Sequence, residues 1–184
     1  AAVDVAHAAS GFTGIYVDAN AIAPETARAI AGLHERFVDG GIVGPPPHQP
    51  GTTRLYLSGG EAETIAALFA GPNVDARVVS GEPSAASAVK AAYAGWTKGS
   101  AALLLTVREL ARAEGVEDAL LAEWRLSIPE LEQRLAGAER SAQRKGWRWI
   151  GEMEEIARSM AAQDLPTGFH EAAAEVFRRT SEEA

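Results

Sequence analysis

The strongest constraint on the fold of this chain is a change of pattern at Pro83. Up to Ser80, short strand signals alternate with helical ones. Beyond Pro83 there is no convincing strand, and residues 83–114 form one helical pattern without an internal proline. Strands alternating with helices argue for an α/β sheet. A proline-free helical run of this length spans roughly 45–50 Å, which suits a helix linking two domains or running through a dimer. The sequence therefore predicts an α/β part over residues 1–81 and an all-helical part over residues 82–184, joined by a long interdomain helix.

Within the first part, residues 1–9 read as a small helix and Ile15–Asp18 as a short buried strand. Pro24 opens a helix expected to run to about Phe37, since proline suits a first helical turn. Arg54–Ser58 reads as a strand closed by Gly59 and Gly60, Glu61–Phe69 as an amphipathic helix, and Ala76–Ser80 as a further strand. In the second part, Gly115 is a stop signal for the long helix. Val116–Trp124 reads as a short helix, and Ser127-Ile128-Pro129-Glu130 as a helix start with Ser127 as its cap. Trp147–Ala162 and Gly168–Arg179 read as two more helices.

Composition excludes several classes of function. The net charge is −8 with acidic and basic residues interspersed, so no basic stripe exists to neutralise nucleic-acid phosphates. There is no cysteine, which removes disulfides, thiolate catalysis and cysteine metal sites and fits a cytoplasmic protein. No apolar run approaches a membrane span. Of 17 Lys plus Arg, only Lys90, Lys98 and Lys145 are lysines. In a chain that otherwise uses arginine, a lysine is of interest because it can give up its proton when desolvated.

Three segments carry candidate chemistry. In Val17-Asp18-Ala19-Asn20-Ala21-Ile22-Ala23-Pro24 a strand ends in a polar turn that leads into a helix. Ligands of open α/β sheets bind beyond the carboxyl ends of strands, so Asn20, Ala21 and Pro24 are candidates for cofactor contact. The alternative is that Asp18 or Asn20 only caps the helix. In Asp39-Gly40-Gly41-Ile42-Val43-Gly44-Pro45-Pro46-Pro47, glycines allow close backbone approach and the prolines stiffen the adjoining segment into an extended conformation. His48, next in the loop, is expected to be exposed and idle. In Gly81 to Gly99 the first helical turns are built of small residues, and Lys90, Tyr93 and Thr97 share one face, with Ala94 and Lys98 beside them. A lysine among alanines on a buried helix would have its pKa lowered and become a usable acid, base or oxyanion donor; a lysine snorkelling to the surface is the alternative. The carboxylates Glu152, Glu154 and Glu155 are expected to form a solvated face, and Trp147 and Trp149 to lie in the core or a dimer contact. The chain contains no Gly-x-Gly-x-x-Gly fingerprint, P-loop, Gly-x-Ser-x-Gly elbow or metal-type histidine spacing.

The segments VDANAIAP, FVDGGIVGPPP, TTRLYLSGG, SAASAVKAAYAGWTKG and RWIGEMEEIA, in this order, resemble the β-hydroxyacid dehydrogenase / 6-phosphogluconate dehydrogenase superfamily. The likeness is strongest to its phosphogluconate-dehydrogenase-like branch, whose C-terminal domain has no assigned function. The resemblance implies a two-domain oxidoreductase using NADP or NAD, with residues 1–81 as the C-terminal part of a Rossmann-like domain and its first half missing. It matches Lys90 to the catalytic lysine on the interdomain helix, with Tyr93 and Lys98 assisting. Asn20 falls near the nicotinamide, and Gly40, Gly41, Val43 and Gly44 fall in a substrate-binding loop. A homodimer through the helical domain and a small hydroxy acid or related carbonyl substrate are also implied. Three positions depart from the pattern: Ala94 stands where asparagine is common, Val43 about where serine is, and Glu152 where a lysine is expected. These departures keep two other readings in view, an imine reductase of the same superfamily and a non-enzymatic dimerisation module.

Overall fold

A computed structural model describes residues 1–182. The elements run α1 (Ala2–Ala8), β1 (Tyr16–Asp18), α2 (Pro24–Ala31), β2 (Phe37–Val43), β3 (Thr53–Ser58), α3 (Ala62–Ala67), β4 (Val74–Val78), α4 (Ala85–Ala113), α5 (Glu117–Ser127), α6 (Leu131–Ala161) and α7 (Gly168–Glu182). The α/β region followed by helices alone is the fold class that the sequence pattern implies. No helix among the described residues is long and apolar enough to cross a membrane.

The chain divides into two compact units, residues 1–93 and 94–184, so α4 contributes residues to each. The first unit holds one four-stranded sheet in the order β1-β2-β3-β4. β1 and β2 are parallel, β2 and β3 antiparallel, and β3 and β4 parallel. Successive side chains of β2 point to opposite faces, and two apolar clusters show the consequence. Val38 packs with Leu55, Leu57, Ala62 and Ile65 on the α3 side. Phe37 packs with Ala6 and Ile30 on the side of α1 and α2. With helices on both faces, β2 is buried along nearly its whole length, which is why it lacks the polar alternation of a half-exposed strand.

α2 stops at Ala31, with Gly32 as its C-cap, rather than running to Phe37. Ile30, His34 and Phe37 recur at helical spacing, but His34 leaves the helix and stacks on Tyr16 with ring centroids 3.9 Å apart, and Phe37 opens β2. β4 begins two residues before the expected Ala76.

In the second unit α4 ends at Ala113, and Gly115 takes a φ of +70° just beyond it. Ser127 does not start a helix: it closes α5, and its hydroxyl donates back to the Glu123 carbonyl at 2.9 Å. α6 is one continuous helix from Leu131 and not a new start at Trp147. Ala138, Ala142, Gly146, Met153, Ile156 and Ala157 are buried along it at roughly helical spacing, a stripe that carries the helix through its glycine. The absent side chain at Gly146 lets Ser181 and Phe177 of α7 come close, within 3.4 and 3.9 Å of where a Cβ would stand. Phe177 is wholly buried and meets Trp149 edge to face at 5.0 Å. Trp147, in contrast, is largely exposed.

Candidate functional site

The candidate site of the first unit lies where β1 and β2 end. β1 closes in a tight polar turn: Asp18 is buried and accepts from the Asn20 backbone N–H at 2.9 Å and from Asn20 Nδ2 at 3.1 Å. This is an Asx-type turn. Neither residue caps α2, whose N-cap is Ala23 and makes no side-chain cap bond. The turn leaves Asn20 and Ala21 exposed at the carboxyl end of the strand, with Pro24 in the first turn of α2.

Gly40 and Gly41 are in β2, fully inside the sheet, and not in a loop. A Cβ on Gly40 would stand 3.0 Å from the Asp18 carbonyl oxygen and the Ala19 Cβ. A Cβ on Gly41 would meet the Ala86 carbonyl oxygen at 2.7 Å and the Lys90 Cβ at 3.1 Å. The glycine pair therefore seats two backbone segments, the β1 turn and the first turns of α4. The small residues at the start of α4 serve the same close approach. Val43 is buried at the end of β2. Gly44, next in the chain, has φ +118° and would place a Cβ 2.2 Å from the Thr52 carbonyl oxygen, so only glycine is tolerated there.

Lys90 is half-buried, and its Nζ donates to the Ile42 carbonyl oxygen at 2.7 Å. This fixes the ammonium at the carboxyl end of β2, one residue beyond the glycine pair. Tyr93, on the same helical face, is 48% exposed.

Sequence reasoning missed the group that anchors this arrangement. Asp39 is 0% exposed. Its Oδ2 accepts the Ser87 backbone N–H at 2.7 Å and its Oδ1 the Ser87 hydroxyl at 2.6 Å. Ser58, its register partner on β3, accepts the Ala86 N–H at 2.9 Å and donates to the Pro83 carbonyl at 2.9 Å. The first N–H groups of a helix lack intrahelical partners. Here two side chains of the sheet satisfy two of them. Burial pushes the Asp39 carboxyl above the usual carboxylate range, against the lowering effect of the Ser87 and Ser58 hydrogen bonds, and the nearby Asp18 charge adds to the rise. The available signal was an aspartate inside an otherwise apolar run, which is costly unless it is hydrogen-bonded.

Lys98 and Ala94 belong to the second unit. Ala94 is buried. Lys98 forms an ion pair with Glu152 of α6, the two side chains being 17% and 12% exposed, and lies over the Trp149 ring at 5.6 Å. Glu152 is thus not part of a solvated acidic face. The neighbouring Gly95 carbonyl lies 3.3 Å from His170 Nε2 of α7.

Residues 111–180 match the model of a domain of unknown function, DUF1932. Among solved structures, the chain is similar to a conserved protein of unknown function described as structurally similar to 3-hydroxyacid dehydrogenases. That match has a TM-score of 0.77 and 28% identity, and covers 98% of this chain and 71% of the other. It is also similar to a conserved hypothetical protein from Sinorhizobium meliloti, with a TM-score of 0.80 and 22% identity, covering 98% of this chain and 64% of the other. None of the curated proteins matches the chain.

Proposed function

We propose that this chain, which has the fold of the 3-hydroxyacid-dehydrogenase-like proteins and their kin with a C-terminal domain of unassigned function, is part of an NAD(P)-dependent oxidoreductase acting on a small hydroxy acid or related carbonyl compound. The observation that carries this reading is Lys90, whose Nζ is held at the carboxyl end of β2 by the Ile42 carbonyl. In open α/β sheets that end is where ligands bind.

The residues present fit one part of a dinucleotide. Asn20 is exposed at the carboxyl end of β1, its backbone N–H and its side-chain Nδ2 each donating to Asp18, and its carboxamide oxygen is an acceptor for a nicotinamide carboxamide N–H. Ala21 and the start of α2 at Pro24 complete that wall. A nicotinamide cofactor, when bound, supplies or accepts the hydride. Lys90 does the proton work: its ammonium donates to a substrate carbonyl oxygen as negative charge develops there, and the amine takes the proton back from a hydroxyl in the reverse direction. The Gly-x-Gly-x-x-Gly turn that holds a pyrophosphate is not among the 184 residues. The chain alone is therefore expected to bind dinucleotide poorly, and the complete gene product that carries it to bind NADPH or NADH saturably. A fluorescence titration checks this, with Asn20→Ala expected to weaken binding about fivefold, the effect of one hydrogen bond. Equal affinity in Asn20→Ala removes Asn20 from the site.

The second unit supports self-association. α4 has no charged residue between Lys98 and Arg108. Trp96 and Leu103, 70% and 62% exposed, form a ridge between two apolar grooves. One, of about 730 Å³, is shared with α7 and the other, of about 580 Å³, with α5 and α6. A ridge flanked by grooves is complementary to a second copy of itself. Light scattering is expected to give twice the 19.3 kDa chain mass, falling to one chain in Leu103→Glu. A monomeric wild-type chain would remove this part of the proposal.

A further inference from the structure

β2 and α4 are held in register at three successive points. Asp39 takes both the N–H and the hydroxyl of Ser87. Gly41 lets the Ala86 carbonyl and the Lys90 Cβ pack against the strand. The Ile42 carbonyl takes the Lys90 ammonium. Ser87 and Lys90 are three residues apart and share a helical face, so a rotation or slide of α4 about its first turns moves both together. The second contact is steric and has no directional preference of its own. The third is made at the end of a flexible four-carbon side chain. Only the first is bidentate, fully buried and directional.

From this we infer that Asp39 is a positioning residue: by capping α4 at Ser87 from the sheet, it sets the place of the Lys90 ammonium at the end of β2. Its functional meaning rests on the role proposed for Lys90, but the geometry can be tested without any activity. Hydrogen bonding, not charge, does the positioning. A protonated carboxyl still accepts the Ser87 N–H on one oxygen and can donate to the Ser87 hydroxyl from the other, and burial favours that protonated form. An asparagine can make the same pair of bonds, and an alanine can make neither.

The test uses the three lysines as reporters. The full chain is labelled with ¹⁵N-lysine and the side-chain ammonium signals are recorded. Free lysine in the same buffer marks a solvated ammonium, since the Nζ of the exposed Lys145 lies 5.7 Å from the Trp149 ring centroid. Lys98, in its ion pair with Glu152, marks the second unit. The expected result in Asp39→Ala is loss of the distinct Lys90 signal, which moves to the position of free lysine, with Lys98 and Lys145 unmoved; Asp39→Asn restores it. Should Asp39→Ala not fold, Ser87→Ala removes one of the two bonds and is expected to shift Lys90 in the same direction. An unmoved Lys90 signal in either folded variant overturns the inference. So does a joint shift of Lys90 and Lys98, which would mark general loosening. Failure of the catalytic reading, with Lys90→Ala fully active, would leave the spectra as they are and is thereby distinguished.

Discussion

Replacing Asp39 with alanine is expected to lower the stability of the protein by about 2–4 kcal/mol, read from urea denaturation. The substitution leaves the Ser87 N–H and hydroxyl without acceptors in a fully buried place, and each buried donor left unsatisfied costs about 1–3 kcal/mol. Asp39→Asn is expected to lose far less, because it keeps an acceptor for the N–H. The pair also carries a pH signature. The folded carboxyl lies above its unfolded value because of burial, so in the window between the two the folded state holds the proton and the unfolded state does not. Stability from this group is fully present below the unfolded value and is lost as pH rises through the raised one. The stability of the wild-type chain relative to Asp39→Asn should therefore increase on acidification from neutral pH. A difference that stays flat with pH would show that Asp39 titrates alike in both states.

The second large effect is on rate. Lys90→Ala is expected to lower turnover about 10²–10⁴-fold, the range of a positioned acid or base, with the fold intact. Lys90 is half-buried, and its ammonium donates to a strand-end carbonyl. A stability change within about 1 kcal/mol is therefore expected, and loss of rate would not be loss of structure. Lys90→Arg keeps the charge but replaces the compact ammonium with a planar guanidinium that does not release its proton, and should recover little of the rate.

The change from alternating strands and helices to helices alone, the long α4 and the glycine beyond it were readable in the sequence, because proline, glycine and strand signals are local; that the compact units divide within α4, after Tyr93, was not. The sequence misled where an accidental helical period competed with tertiary structure. Ile30, His34 and Phe37 continue the spacing of α2, yet Phe37 and Val38 are claimed by two apolar clusters on opposite faces of the sheet. Trp147 reads as the start of a helix, yet α6 runs unbroken through Gly146, against which Phe177 and Ser181 of α7 pack. In the site, Lys90 stood out by the scarcity of lysine. Asp39 did not, because its partners Ser58 and Ser87 lie 19 and 48 residues away, and no local pattern joins them. Gly40 and Gly41 were visible as places of close approach. That the approaching groups are the β1 turn and α4 is a property of the sheet order, which local sequence does not carry.

The most direct test of the central claim is NAD(P)H-dependent turnover of the complete gene product that carries this chain, measured over a panel of small hydroxy acids and carbonyl compounds in wild type and Lys90→Ala. Cofactor-dependent turnover is expected in the wild type, falling by about 10²-fold or more in the variant, with stability changed by no more than about 1 kcal/mol. Turnover that survives Lys90→Ala undiminished would contradict it.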